Sequence, residues 1–238
     1  LGRHRRTARN YFASNERMNA AADRIRFVLV EPSHPGNIGA AARAIRTMGF
    51  GRLAVVAPRE PDFRNHPEAL AFATHAAGVL HRSSVHERLP QALEGVRLSF
   101  AMTGYAREFG PPLTDLRSAA ARVRAHVDAE PGDVAFVFGA ERNGLANDDV
   151  ERCSACCAIA ADAQAASLNL AQAVQVAAYE CRLALAGGAI DSRLTPFGEA
   201  APASHDRVEG MFAHLEQALT ALGYLDPAQP KRLMSRLR

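Results

Sequence analysis

No stretch of this 238-residue chain reaches the roughly 18 consecutive apolar residues that cross a bilayer. The most apolar helix-like segment, 171–190, is interrupted by Gln172, Gln175, Glu180 and Arg182. A secretory signal is missing as well, because the basic N-terminus has no apolar centre. Cysteine is scarce: Cys153, Cys156, Cys157 and Cys181 give no disulfide framework in a chain this long. One C-x-x-C spacing without a second pair or a clear His pair disfavours zinc against reduced, mostly buried thiols. These absences point to a cytoplasmic protein without a membrane segment or metal. With 48% apolar and 22% charged residues, disorder is excluded too.

A strong charge of one sign is also lacking. The net charge is +3, and residues 1–26 hold seven arginines against Glu16 and Asp23. The other 212 residues carry 21 basic and 23 acidic groups, so the body is not a strongly basic nucleic-acid binder by composition. RNA contact then needs local patches, such as Lys231, Arg232, Arg236 and Arg238. Residues 1–24 read as a flexible basic leader, with Met18 a candidate natural start.

What is present is alternation. Residues 26–31 (RFVLVE) form a β-rich run. The loop PSHPGNIG follows, then a helical pattern, AAARAIRTMGF, and a second strand at 53–57. That order is the signature of a βαβ unit and a parallel sheet. Helices are predicted over 67–77, 86–93 and 116–127, and strands over 98–103 and 156–160. The very apolar run 133–138 suits the centre of a sheet covered on both faces. A long helix is predicted over 168–185, capped by Ser167 and stopped at Gly187–Gly188. The fold class is therefore α/β, a parallel sheet flanked by helices, spanning 25–188. Residues 189–206 read as a linker, and 207–238 as a helical extension that stops while still apolar and basic, as though cut short.

Three loops can carry chemistry. Residues 35–43 (PGNIGAAAR) make a Gly-rich turn into a helix, suited to an anion. Their G-x-x-G spacing lacks the dinucleotide fingerprint, although Asp62 lies where a ribose carboxylate would; a Rossmann-type oxidoreductase is the rival enzyme reading. Residues 138–145 (FGAERNGL) follow the most buried strand at its carboxyl end, where open α/β sheets bind ligands. The plainer reading there is a turn with a surface Glu–Arg pair. Residues 159–170 run from a strand through small residues into a helix, and simple capping by Ser167 would explain them, with Asn169 idle.

Together and in this order the loops resemble the SpoU branch of the SPOUT RNA methyltransferases. The motifs are N-x-G-x-x-x-R at Asn37, Gly39 and Arg43; F-G-x-E-x-x-G-L at Phe138, Gly139, Glu141, Gly144 and Leu145; and S-L-N-L-x-x-A at Ser167, Leu168, Asn169, Leu170 and Ala173. The likeness covers roughly 25–238 and is strongest to bacterial tRNA ribose 2′-O-methyltransferases with a helical tail like HLEQALTALGY. It departs at 162–166, where DAQAA replaces a more polar stretch containing Pro and Tyr.

The resemblance implies a sheet whose C-terminal end threads a trefoil knot, and a homodimer acting on tRNA. It implies methyl transfer from S-adenosylmethionine to the 2′-hydroxyl of cytidine or uridine at nucleotide 32, leaving S-adenosyl-L-homocysteine and using no metal. Another tRNA position or rRNA is the alternative, and a non-enzymatic RNA-binding module a third reading. The implied cofactor contacts are Thr103, Gly104, Tyr105, Ala106, Gly139, Ile159, Ala166, Ser167 and Leu168. The implied catalytic set is Arg43, Ser167, Asn37, Glu141 and Asn169, with Arg43 of one subunit serving the cofactor of the other. Arg43 has been proposed as a general base, but a guanidinium stays protonated, so a phosphate grip and alkoxide stabilisation fit it better.

Overall fold

The computed structural model describes residues 18–103, 110–162, 164, 167–187, 203–229 and 231–237. The chain divides into two compact units, Leu1–Ile190 and Asp191–Arg238.

In the first unit β1 (Ile25–Val30) leads into α1 (Pro35–Thr47) and β2 (Arg52–Val56). Next come α2 (Pro67–Ala73), a 3-10 turn at Thr74–Ala76, α3 (Ala77–Arg82), β3 (Ser84–His86) and α4 (Leu89–Ala92). After β4 (Val96–Met102) come β5 (Leu113–Asp115), α5 (Leu116–Ala129), β6 (Asp133–Phe138), α6 (Asn147–Glu151), β7 (Ala155–Ala158) and α7 (Leu170–Leu185). The seven strands are all parallel, in the order β3-β2-β1-β6-β4-β7-β5.

Both faces of the central strands are covered, which is why they read as continuous apolar runs. Successive side chains go to opposite faces. Phe27, Leu29, Phe100 and Phe136 face a core built with α1, α5 and α7, while Val28, Val30, Ala135 and Val137 meet residues of α4 and α6. Phe136 stacks between Phe27 and Phe100 at centroid distances of 6.0 and 5.1 Å. The N-terminal edge of the sheet is held by charge. Asp133 accepts from Arg26 at 3.0 Å and Arg52 at 2.6 Å, two arginines that register places on paired positions of β1 and β2.

Several elements differ from the sequence expectation. Helix α1 begins at Pro35, so PGNIG is its first turn rather than a loop; proline has no N–H to lose there and its φ is preset. Gly39 is buried where the backbone of α2 passes: a Cβ on it would sit 2.0 Å from the Ala69 carbonyl oxygen. The helix expected over 86–93 is only Leu89–Ala92, with Pro90 in its first turn, and His86 closes β3. Strand β5, three residues with a polar centre, carried no apolar pattern to announce it. Residues 18–22 are helical with Ala22 buried, so the end of the expected leader belongs to this unit. Most of the expected linker, 189–202, lies outside the described residues.

The second unit holds α8 (His205–Ala221) and α9 (Leu233–Leu237). No helix among the described residues is long and apolar enough to cross a membrane.

Candidate active site

The loop after β6 is closed on itself. Ala140 and Gly144 form an isolated antiparallel bridge, and the Gly144 N–H donates to the Ala140 carbonyl at 2.9 Å. Two glycines make this closure possible. A Cβ on Gly139 would meet the Gly144 carbonyl carbon at 2.1 Å, and Gly144 has φ +66, in the left-handed region. The fold thereby fixes Glu141 at the carboxyl edge of the sheet.

The Glu141 carboxylate takes four hydrogen bonds. Oε2 accepts from the Ser33 N–H at 2.9 Å and the Ser33 hydroxyl at 2.7 Å. Oε1 accepts from the His34 N–H at 3.3 Å and Asn37 Nδ2 at 2.8 Å. Two bonds on each oxygen saturate the group. Partial burial pushes its pKa up, but the bonds from Asn37 and Ser33 outweigh burial and hold it at about 2. It is an ionised anchor rather than a proton acceptor at neutral pH.

Asn37 passes the connection on. Its Oδ1 accepts from Asn169 Nδ2 at 3.0 Å. Asn169 Oδ1 in turn accepts from the N–H groups of Ala171 and Gln172 at 2.9 and 3.4 Å, and the Gln172 side chain accepts from the Asn169 N–H at 3.2 Å. That is a capping box, and Asn169 rather than Ser167 caps α7. Asparagine accepts into the helix while its amide donates outward, which a serine hydroxyl cannot do with the same reach. A relay of Glu141, Asn37 and Asn169 therefore joins three loops across 104 and 132 residues of sequence.

Beside the relay lies a cleft of about 400 Å3, within the size range of small-molecule sites. Its walls include Met102, Phe138, Leu145, Ile159, Leu168 and Leu170, with Gly139 and Thr103 contributing backbone. Cys157 lines it as a thiol, pushed up to about 12 by burial. The other three cysteines are buried as well, and none of the four forms a disulfide. Among the described residues no group of three or more His, Cys, Asp or Glu could hold a metal ion. Among the described residues Glu141 and Arg142 are the charged side chains at the cleft, and Glu141 is fully engaged. Such a space suits a mostly apolar small molecule.

Residues 24–179 match the SpoU rRNA Methylase family, and residues 206–238 match the tRNA methyltransferase TrmJ, C-terminal domain. The chain belongs to the SpoU methylase family. It is similar to the tRNA (cytidine/uridine/adenosine-2′-O-)-methyltransferase TrmJ of Pseudomonas aeruginosa, 40% identical over 91% of this chain and 85% of that protein. Among solved structures it is similar to a probable methyltransferase from Bordetella pertussis Tohama I (52% identity, 70% of this chain and 99% of that one, TM-score 0.66). It is also similar to TrmJ from Z. mobilis ZM4 (31% identity, 89% and 87%, TM-score 0.60).

Four residues of the three SpoU motifs, Asn37, Glu141, Ser167 and Asn169, come together at this cleft and its relay. Gly139, Thr103, Ile159 and Leu168, named above as implied cofactor contacts, line the cleft. Gly104, Tyr105, Ala106 and Ala166 lie outside the described residues, as does part of the stretch through which the knot was expected to thread. Arg43 is not brought to the cleft of its own chain. It is exposed on α1, and its guanidinium has no partner among the described residues. Six positions after Asn37, it points about 120° away around the helix axis. Asp62, the candidate ribose carboxylate, accepts from Asn65 Nδ2 at 2.7 Å in an exposed loop. With Gly39 packed against α2, no dinucleotide site forms at α1. Ser33 and Gln172 are positioning residues that spacing did not reveal, since a serine in a βα loop carries no signal of its distant partner.

Proposed function

We propose that this chain methylates a ribose 2′-hydroxyl of tRNA, cytidine or uridine at nucleotide 32, with S-adenosylmethionine bound in the cleft and the protein working in the cytoplasm as a homodimer. The observation that carries this reading is the Glu141–Asn37–Asn169 relay, which gathers the three SpoU motifs around one apolar cleft. The TrmJ-type C-terminal match at 206–238 and the names of the similar proteins support tRNA as the substrate.

Bound S-adenosylmethionine supplies an electrophilic methyl group on a sulfonium, and no metal is needed. The chain's part is to hold the ribose oxygen in line and help its proton leave. Met102, Phe138, Ile159 and Leu168, which line the cleft, would hold the donor and exclude water. Ser167, in the cleft wall, would supply a hydrogen bond at the boundary between donor and sugar. Glu141 and Asn37 fix the loops from which the sugar is approached. Arg43 of the second subunit grips the phosphate beside the target sugar and stabilises charge developing on the oxygen. Its absence from the cleft of its own chain agrees with service across a dimer. We take the C-terminal end of the sheet to thread the family's trefoil knot around this donor site.

The test is to map 2′-O-methylated nucleotides in total tRNA incubated with the protein and S-adenosylmethionine. Methylation at nucleotide 32 is expected. Modification elsewhere in tRNA, or of rRNA alone, overturns the target; no transfer to either overturns the chemistry.

A further inference from the structure

Within motif two an acid and a base are neighbours in sequence, Glu141 and Arg142, yet they do not pair. Glu141 has both oxygens saturated by Ser33, His34 and Asn37. Arg142 is exposed, lines the cleft, and has no hydrogen bond or ion pair among the described residues. Several arginines of this unit are engaged by acids, Arg26 and Arg52 with Asp133 and Arg117 with Glu180, whereas Arg142, beside a carboxylate in sequence, is not. The loop that carries Arg142 is closed by the Ala140–Gly144 bridge and anchored through Glu141. Its base is fixed while its charged end is free.

An unneutralised guanidinium carried on a fixed loop beside the methyl-transfer cleft is a site for an oxyanion. A ribose 2′-hydroxyl in RNA has a phosphate on either side of its sugar, so a phosphate necessarily arrives with the target. We propose that Arg142 holds a backbone phosphate of the RNA strand entering the cleft, fixing the register of the target sugar. This rests on the reading of the cleft as a tRNA methylation site. The planar fork suits bidentate contact with two phosphate oxygens, and outside residues 1–26 the chain carries no overall basic excess, so such local cations must supply the attraction. A phosphate contact orients the substrate without reading its base.

The test compares wild type, Arg142→Gln and Arg142→Lys. Kd for unmodified tRNA is measured across a salt series, and S-adenosylmethionine binding is followed by thermal shift. Arg142→Gln is expected to weaken tRNA binding about tenfold and to flatten the slope of log Kd against log salt by about 0.7 to 1, one phosphate's worth. Arg142→Lys should keep the wild-type slope and lose part of the affinity, and donor binding should be unchanged in both. An unchanged salt slope in Arg142→Gln overturns the proposal. So does weakened donor binding with tRNA affinity intact, which would assign the guanidinium to the donor's carboxylate. Failure of the wild type to methylate any tRNA would instead overturn the underlying function, and is read separately.

Discussion

The two edges of the sheet use one acid each in opposite ways. At the N-terminal edge Asp133 takes two arginines from neighbouring strands, Arg26 at 3.0 Å and Arg52 at 2.6 Å. At the C-terminal edge Glu141 takes neutral donors only, from Ser33, His34 and Asn37, and leaves the adjacent Arg142 unpaired. The first arrangement cancels charge and holds strands together. The second uses a carboxylate for geometry and leaves the Arg142 guanidinium unpaired among the described residues. The difference separates the stabilising end of this sheet from its working end.

The largest effect is expected at a free cation. Arg43→Ala should lower methyl transfer by about 10²–10³-fold, the scale of removing a transition-state charge donor, and Arg43→Lys most of that. Because Arg43 is exposed and unpartnered among the described residues, melting should be unchanged. A parallel loss of stability would erase the contrast.

Next comes the opposite edge. Asp133→Asn should cost about 2 kcal/mol in urea unfolding, below the usual cost of breaking a buried pair because Arg52 is partly wetted. The Arg26 guanidinium, pushed down by burial and by Arg52, would lose its counter-charge. Turnover by the folded fraction should stay within about twofold of wild type, since the site lies at the other end of the strands. A large loss of turnover would mean the edges are coupled.

A smaller effect is expected at the relay. Asn169→Ala should cost about 1 kcal/mol, the worth of a helix cap, and also weaken turnover by releasing Asn37. Asn169→Asp keeps the cap but removes the donor to Asn37, so it should recover stability without activity. Recovery of both would reduce Asn169 to a cap.

The smallest effect is in pH. Glu141 in the fold titrates at about 2, below its ordinary 4.5. Its contribution to stability is complete above 4.5 and is lost as pH falls towards about 2. Urea midpoints should therefore decline across that window in wild type, with a shallower decline in Glu141→Gln. Equal slopes would show that the four hydrogen bonds add nothing to the carboxylate's stability.

Much of the fold was legible because its signals are local. The run 133–138 is apolar throughout and became β6 at those residues. Helix α5 followed its 3.6 period to within two residues. Errors arose where local signals competed. PGNIG looks like a turn until α2 packs on Gly39, and residues 86–93 look helical until Pro90 sets where the helix can begin. At the site, motif spacing located Asn37, Glu141, Ser167 and Asn169 but gave the helix cap to Ser167 rather than Asn169 and left Ser33 unmentioned.

The alternation of the five longer strands with helices, the two-sided burial of the run 133–138 and the three motifs were determined by the sequence alone, because periodicity and turn chemistry act over a few residues. Which acid neutralises which base was decided only in three dimensions. Glu141 stands next to Arg142 in the chain yet bonds to Ser33, 108 residues away. Hydrogen bonds are satisfied by what the packed backbone brings within 3 Å, and in a parallel sheet that is set by strand order rather than by neighbours in sequence.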